Sequence, residues 1–92
     1  MKYIFYFVAK NSFENQINIY PNPANDFINI TNENQLPPLT ITIYNTIGQT
    51  LYTQQNSNSN NLQIDISNYN SGLLFIKIES FNQSIIYKLL KL

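Results

Sequence analysis

Apolar residues recur at every second position along most of this chain, and that period of two is what most limits how it can fold. A strand sends successive side chains to opposite faces, whereas a helix needs a period near 3.6. Seven runs fit the strand pattern: "INIY" (17–20), "FINIT" (27–31), "LTITIYN" (39–45), "QTLYTQ" (49–54), "LQIDI" (62–66), "LLFIKIES" (73–80) and "SIIYKLL" (84–90). In the third, Leu39, Ile41 and Ile43 share one face, and Thr40, Thr42 and Tyr44 the other. No segment has sustained helical periodicity. "YIFYFVA" (3–9) is a candidate eighth strand, or the tail of something upstream. It is too short to cross a bilayer, which takes about 20 residues. With Lys2 ahead of it, it has a faint likeness to a signal peptide, but no small-x-small cleavage site follows closely.

The separators are turn chemistry. "NTIG" (45–48) reads as a hairpin loop in which Gly48 is free to take positive φ, and "SFNQS" (80–84) as a second tight hairpin. "NENQLPP" (32–38) and "QQNSNSNN" (54–61) read as polar loops. Between the first two strands stands Tyr20-Pro21-Asn22-Pro23. Each proline fixes φ, keeps the preceding residue extended and stops a ladder, so the motif is read first as a bend. Short strands at such spacing predict an all-β antiparallel sandwich or barrel. For 92 residues, one domain with a small core and two sheets is the better choice.

Much chemistry is missing. The chain has no histidine and no cysteine, which leaves no Ser-His-Asp or Cys-His arrangement, no usual zinc ligand set and no disulfide framework. With only two glycines it has no phosphate loop. Asp26 and Asp65 would form a glycosidase-type pair only by an accident of folding. Asp26 beside Asn22 and Asn25 could be imagined around calcium, but these residue types are also what turns use. Charged residues make up 11% of the chain, against about 25% in ordinary domains. No Lys or Arg occurs between Lys10 and Lys77, so a phosphate-binding footprint is lacking and nucleic acid is not an expected partner. Neither catalysis nor a cofactor is expected. A binding module, a structural domain or a domain that is itself an address remains.

Three elements in order then carry a resemblance: "IYPNPANDFINI" (19–30), "ITIYNTIGQTLYT" (41–53) and "IDISNYNSGLLFIKIES" (64–80), followed by the ending "YKLLKL" (87–92). Together, over residues 17–92, they resemble the C-terminal sorting domain of type IX (Por) secretion system cargo proteins of Bacteroidetes. The sequence departs from that family's pattern at Asn45, where Asp is usual, at Gln49, where a basic residue is usual, and at Leu74, where an aromatic is favoured and Phe75 follows instead. The resemblance implies a seven-stranded immunoglobulin-like sandwich at the end of a larger cargo. It implies passage through the periplasm, recognition by the type IX outer-membrane translocon and its shuttle proteins, and removal at the surface by a sortase-like cysteine protease. Residues 1–16 would then be an upstream remnant or the linker that is cut.

Structural roles are expected for Tyr20, Pro21, Asn22, Pro23, Gly48, Asp65 and Gly72, with Asp65 and Ser67 capping the turn after the fifth strand. Lys88, Leu89, Leu90 and Lys91 are the recognition candidates. They read either as an edge strand whose lysines blunt aggregation or as a docking element for strand addition. The alternative is an immunoglobulin-like adhesion or carbohydrate-binding module, which would need an exposed aromatic platform such as Tyr44, Tyr52 and Tyr69.

Overall fold

In a computed structural model the chain is described over residues 16–32, 38–57, 60–81 and 83–92. The N-terminal run 3–9 lies outside these residues, as do most of the 32–38 loop and the centre of the 54–61 loop. Seven strands occur among the described residues: β1 (Ile17–Tyr20), β2 (Phe27–Asn32), β3 (Leu39–Tyr44), β4 (Thr50–Ser57), β5 (Asn61–Asp65), β6 (Gly72–Ser80) and β7 (Gln83–Lys91). They build two antiparallel sheets, one ordered β1-β2-β5 and the other β4-β3-β6-β7. The chain is therefore an all-β sandwich. In the immunoglobulin constant arrangement the fourth strand sits in the sheet of the first, second and fifth. Here it pairs with β3 instead.

The alternation in sequence becomes the layering of the fold. Ile28, Ile30 and Ile64 point inward from the first sheet, and Ile41, Ile43, Ile76 and Ile78 from the second. The register sets Ile41 opposite Ile78 and Ile43 opposite Ile76. β-Branched side chains suit this pleated, buried surface. Tyr87 ties the sheets together where its hydroxyl donates to the Ile17 carbonyl at 3.3 Å.

One loop expectation is corrected. Residues 54–57, read as part of a polar loop, continue β4 as far as Ser57. The backbone ladder decides this: Ser57 is buried opposite Leu39, with a register shift between Leu39 and Ile41 absorbing the mismatch. Both hairpins form as read, and Gly48 takes φ +84° in the first, a left-handed conformation that a side chain would strain.

Candidate functional site

Strand register brings the separated sequence motifs to one pole of the sandwich. β6 begins at Gly72, opposite Lys91 near the end of β7, and Phe75 lies opposite Tyr44 at the end of β3. In the first sheet Tyr20 ends β1, Phe27 starts β2, and Phe27 pairs with Asp65 at the end of β5. The 21–26 turn, the 45–49 hairpin, the 66–71 turn and the chain's last residues therefore share one end. Two of these pieces, the 45–49 hairpin and the 66–71 turn, are built by local hydrogen bonds.

The hairpin is held by Asn45. Its Oδ1 accepts from the Gln49 amide at 2.9 Å and from the Ile47 amide at 3.2 Å, while its Nδ2 donates to Gln49 Oε1 at 2.9 Å. The two departures at the hairpin are thus partners of each other: a neutral amide pair stands where the family pattern sets Asp and a base. The turn after β5 is held by Asp65, whose Oδ1 accepts from the Ser67 hydroxyl at 2.6 Å and the Ser67 amide at 2.8 Å, as expected of a cap. These bonds, the hydroxyl's first, pull the carboxyl below its usual range. Leu74, where an aromatic is favoured, is buried in the core, and Phe75 lies on the opposite, outer face.

The other two pieces, the 21–26 turn and the end of β7, are assembled against each other across the whole chain. Pro21 and Pro23 both follow cis peptide bonds, and the turn they shape lies along the outer edge of β7. Asn22 Nδ2 donates to the Lys88 carbonyl at 3.0 Å, and Asn22 Oδ1 accepts from the Leu90 amide at 3.0 Å. Ala24 continues the pairing: its amide donates to the Leu90 carbonyl at 2.9 Å, and its carbonyl accepts from the Leu92 amide at 2.8 Å. Ala24 is buried, and its short parallel bridge to Lys91 seals the two sheets at this pole. Sequence reasoning missed this pairing. Its partners stand 66 and 68 residues apart, and Asn in a proline-flanked turn already has a local explanation.

The recognition candidates split by face. Lys88 and Leu90 are exposed, while Leu89 and Lys91 are buried. The parity was legible, but the burial of a lysine was not: Lys91 is 7% exposed and its Nζ donates to the Leu92 oxygen at 2.8 Å. The outer face at this pole is a row running Tyr44, Phe75, Lys88 across β3, β6 and β7, with Leu73 opposite Leu90 beside it. β7 is an edge strand, but its outer backbone groups at Lys88, Leu90 and Leu92 are engaged by residues 22 and 24.

Two further expectations are revised. Tyr44, Tyr52 and Tyr69 do not make one exposed platform. Tyr52 and Tyr69 pack against the core, their hydroxyls bonded to Gln54 Oε1 and the Leu51 carbonyl, and burial raises the pKa of both. Asp26 and Asp65, in contrast, both line one surface pocket, with Phe27, Gln63 and Ser67. Among the described residues no group of acidic side chains gathers to hold a metal ion, and no helix is long and apolar enough to cross a membrane.

Compared with known proteins, the chain matches over residues 18–91 a family model described as the secretion system C-terminal sorting domain. No curated protein matches it.

Proposed function

The chain belongs to the secretion system C-terminal sorting domain family and carries a type IX sorting signal, and from that premise we propose that residues 17–92 are a folded address read at the pole where its motifs meet. The address acts on an attached cargo. It passes with that cargo through the periplasm, engages the outer-membrane translocon and its shuttle proteins, and reaches the cell surface or the medium. A sortase-like cysteine protease then cuts within residues 1–16, the segment that links address to cargo. The domain is the substrate of that enzyme. Domains of this family are non-catalytic in general.

One observation carries the reading: four segments that are far apart in sequence converge at one end. The chain runs up and down between two ends, so alternate connections share a pole, and the motifs of the sequence all fall in the β1–β2, β3–β4 and β5–β6 connections and at the end of β7 that share this one. Together they present a single surface of backbone loops and the exposed Lys88 and Leu90. The side chains offered there are apolar, amide and hydroxyl, with the exposed carboxylates Asp26 and Asp65 and, in the terminal segment, the exposed cation Lys88. Charges so few and of mixed sign favour recognition by shape and hydrogen bonding over long-range charge steering.

The test is export. The whole 92-residue chain is placed behind a Sec signal and a fluorescent reporter in a bacterium with a type IX system. The reporter is expected at the surface or in the medium with the native chain, and in the periplasm when Lys88–Leu92 are deleted. Retention of both in the periplasm, or equal export of both, would reject the proposal. Mass analysis of the released reporter locates the cut.

A further inference from the structure

We infer that Asn22 is a positioning residue for the address: it holds the terminal strand so that Lys88 and Leu90 face outward at the pole. This rests on the sorting reading above and adds a residue and a mechanism to it.

The geometry carries the inference. A strand edge offers an amide and a carbonyl on alternate residues, and an Asn side chain, with one carbonyl and one NH₂, has the same donor–acceptor pair as a peptide unit. Asn22 uses it in that way, donating to the Lys88 carbonyl and accepting from the Leu90 amide, both at 3.0 Å. Its amide stands in for one residue of an eighth strand, and Ala24 supplies the next with its own backbone. The terminal residues are therefore paired on both sides, to β6 through the regular ladder and to the 22–24 turn on the outside.

Both pairings hold the face of residues 88–92. A strand held along one edge only can open locally, and opening lets its alternating side chains exchange faces. Here such an exchange would bury Lys88 and expose Leu89. The Asn22 bonds oppose it at the residues whose exposure matters. The edge occupancy also has a consequence for how a partner binds: a strand added beside residues 88–92 would have to displace Asn22 and Ala24. The outer face is the part of the terminal segment left accessible in the folded domain.

Amide hydrogen exchange and export test this together. In Asn22→Ala the Leu90 amide is expected to exchange about tenfold faster, the effect of losing a hydrogen bond in a locally opening segment. Amides of β3 and β6 should change less than twofold, and export of the reporter fusion should fall several-fold. Asn22→Asp keeps an acceptor for the Leu90 amide but sets a carboxylate oxygen against the Lys88 carbonyl. It should retain most of the Leu90 protection, export at an intermediate level, and carry the test if the alanine variant does not fold. Unchanged Leu90 exchange in the substituted chain overturns the inference. So does faster exchange with undiminished export, which leaves the sorting reading intact. A native chain that is not exported rejects the sorting reading itself, and the inference falls with it.

Discussion

Asn45 and Gln49 show how a single pair can be swapped without loss of form. An Asx-type turn needs an oxygen at the side-chain position, and Asn supplies it as well as Asp does. The Asn45 amide then has to find an acceptor, and Gln49 Oε1 is within 2.9 Å. Changing one partner alone removes that bond, whereas changing both restores a pair of another kind. In a double-mutant cycle, Asn45→Asp with Gln49→Arg is expected to be coupled favourably by about 0.2–1 kcal/mol, the range for exposed ion pairs. The coupling should shrink as salt is raised. Urea unfolding of the four variants measures it, and strict additivity would show that the side chains do not interact.

A second residue works against its backbone. Phe81, in the β6–β7 hairpin, sits at φ 53° and is 90% exposed. A bulky side chain is poorly suited to that left-handed region, which Asn tolerates better. Phe81→Asn is expected to stabilise the domain by about 0.5–1 kcal/mol, read as a raised unfolding midpoint in urea. A lowered midpoint would show that the phenyl ring makes contacts worth more than the strain.

At the scale of elements, the turn after β5 is where pH enters. Asp65 binds its proton more weakly in the folded chain than in the unfolded one, because Ser67 donates twice to the carboxylate. The stabilisation is therefore present above the ordinary Asp value of about 3.9 and is lost as pH falls through the lower, folded value. Asp65→Asn lacks that ionisation. The difference in midpoint temperature between native chain and variant should be largest near neutrality and close up below about pH 4. A constant difference across that range would mean that the carboxylate's charge plays no part in the cap. The boundaries of such elements were largely legible, since the alternation and the turn residues place all seven strands to within a residue or two, except for the end of β4. Partnership between elements was not. A period of two tells which face of a strand is dry, but not which strand lies beside it, so neither the transfer of β4 to the second sheet nor the pairing of Asn22 with β7 could be read along the chain.

For the whole molecule, the candidate residues were legible as a set of motifs, and their convergence became visible only once register fixed which strand ends coincide. That convergence makes the pole depend on the core beneath it, and the dependence can be measured. Ile43 is fully buried one residue before the end of β3, between Ile76 on β6 and Tyr52 on β4. Ile43→Ala removes buried methyl groups from a layer clamped on both sides by hydrogen-bonded strands, so the site cannot collapse freely and a cost of about 2–5 kcal/mol is expected. A domain of 92 residues has about 5–14 kcal/mol in total, so this one change takes a large share of it. Lys88→Ala, on the exposed face, should cost less than about 0.5 kcal/mol. With a urea dependence of about 1 kcal/mol per molar for a chain this small, the Ile43 variant's midpoint should fall by about 2 M or more while that of the Lys88 variant barely moves. If export follows the folded pole, the Ile43 variant should lose it because the domain opens, and the Lys88 variant should lose it with stability intact. A Lys88 variant exported as well as the native chain would take that side chain out of the recognised surface and leave the loops and Leu90 to account for it.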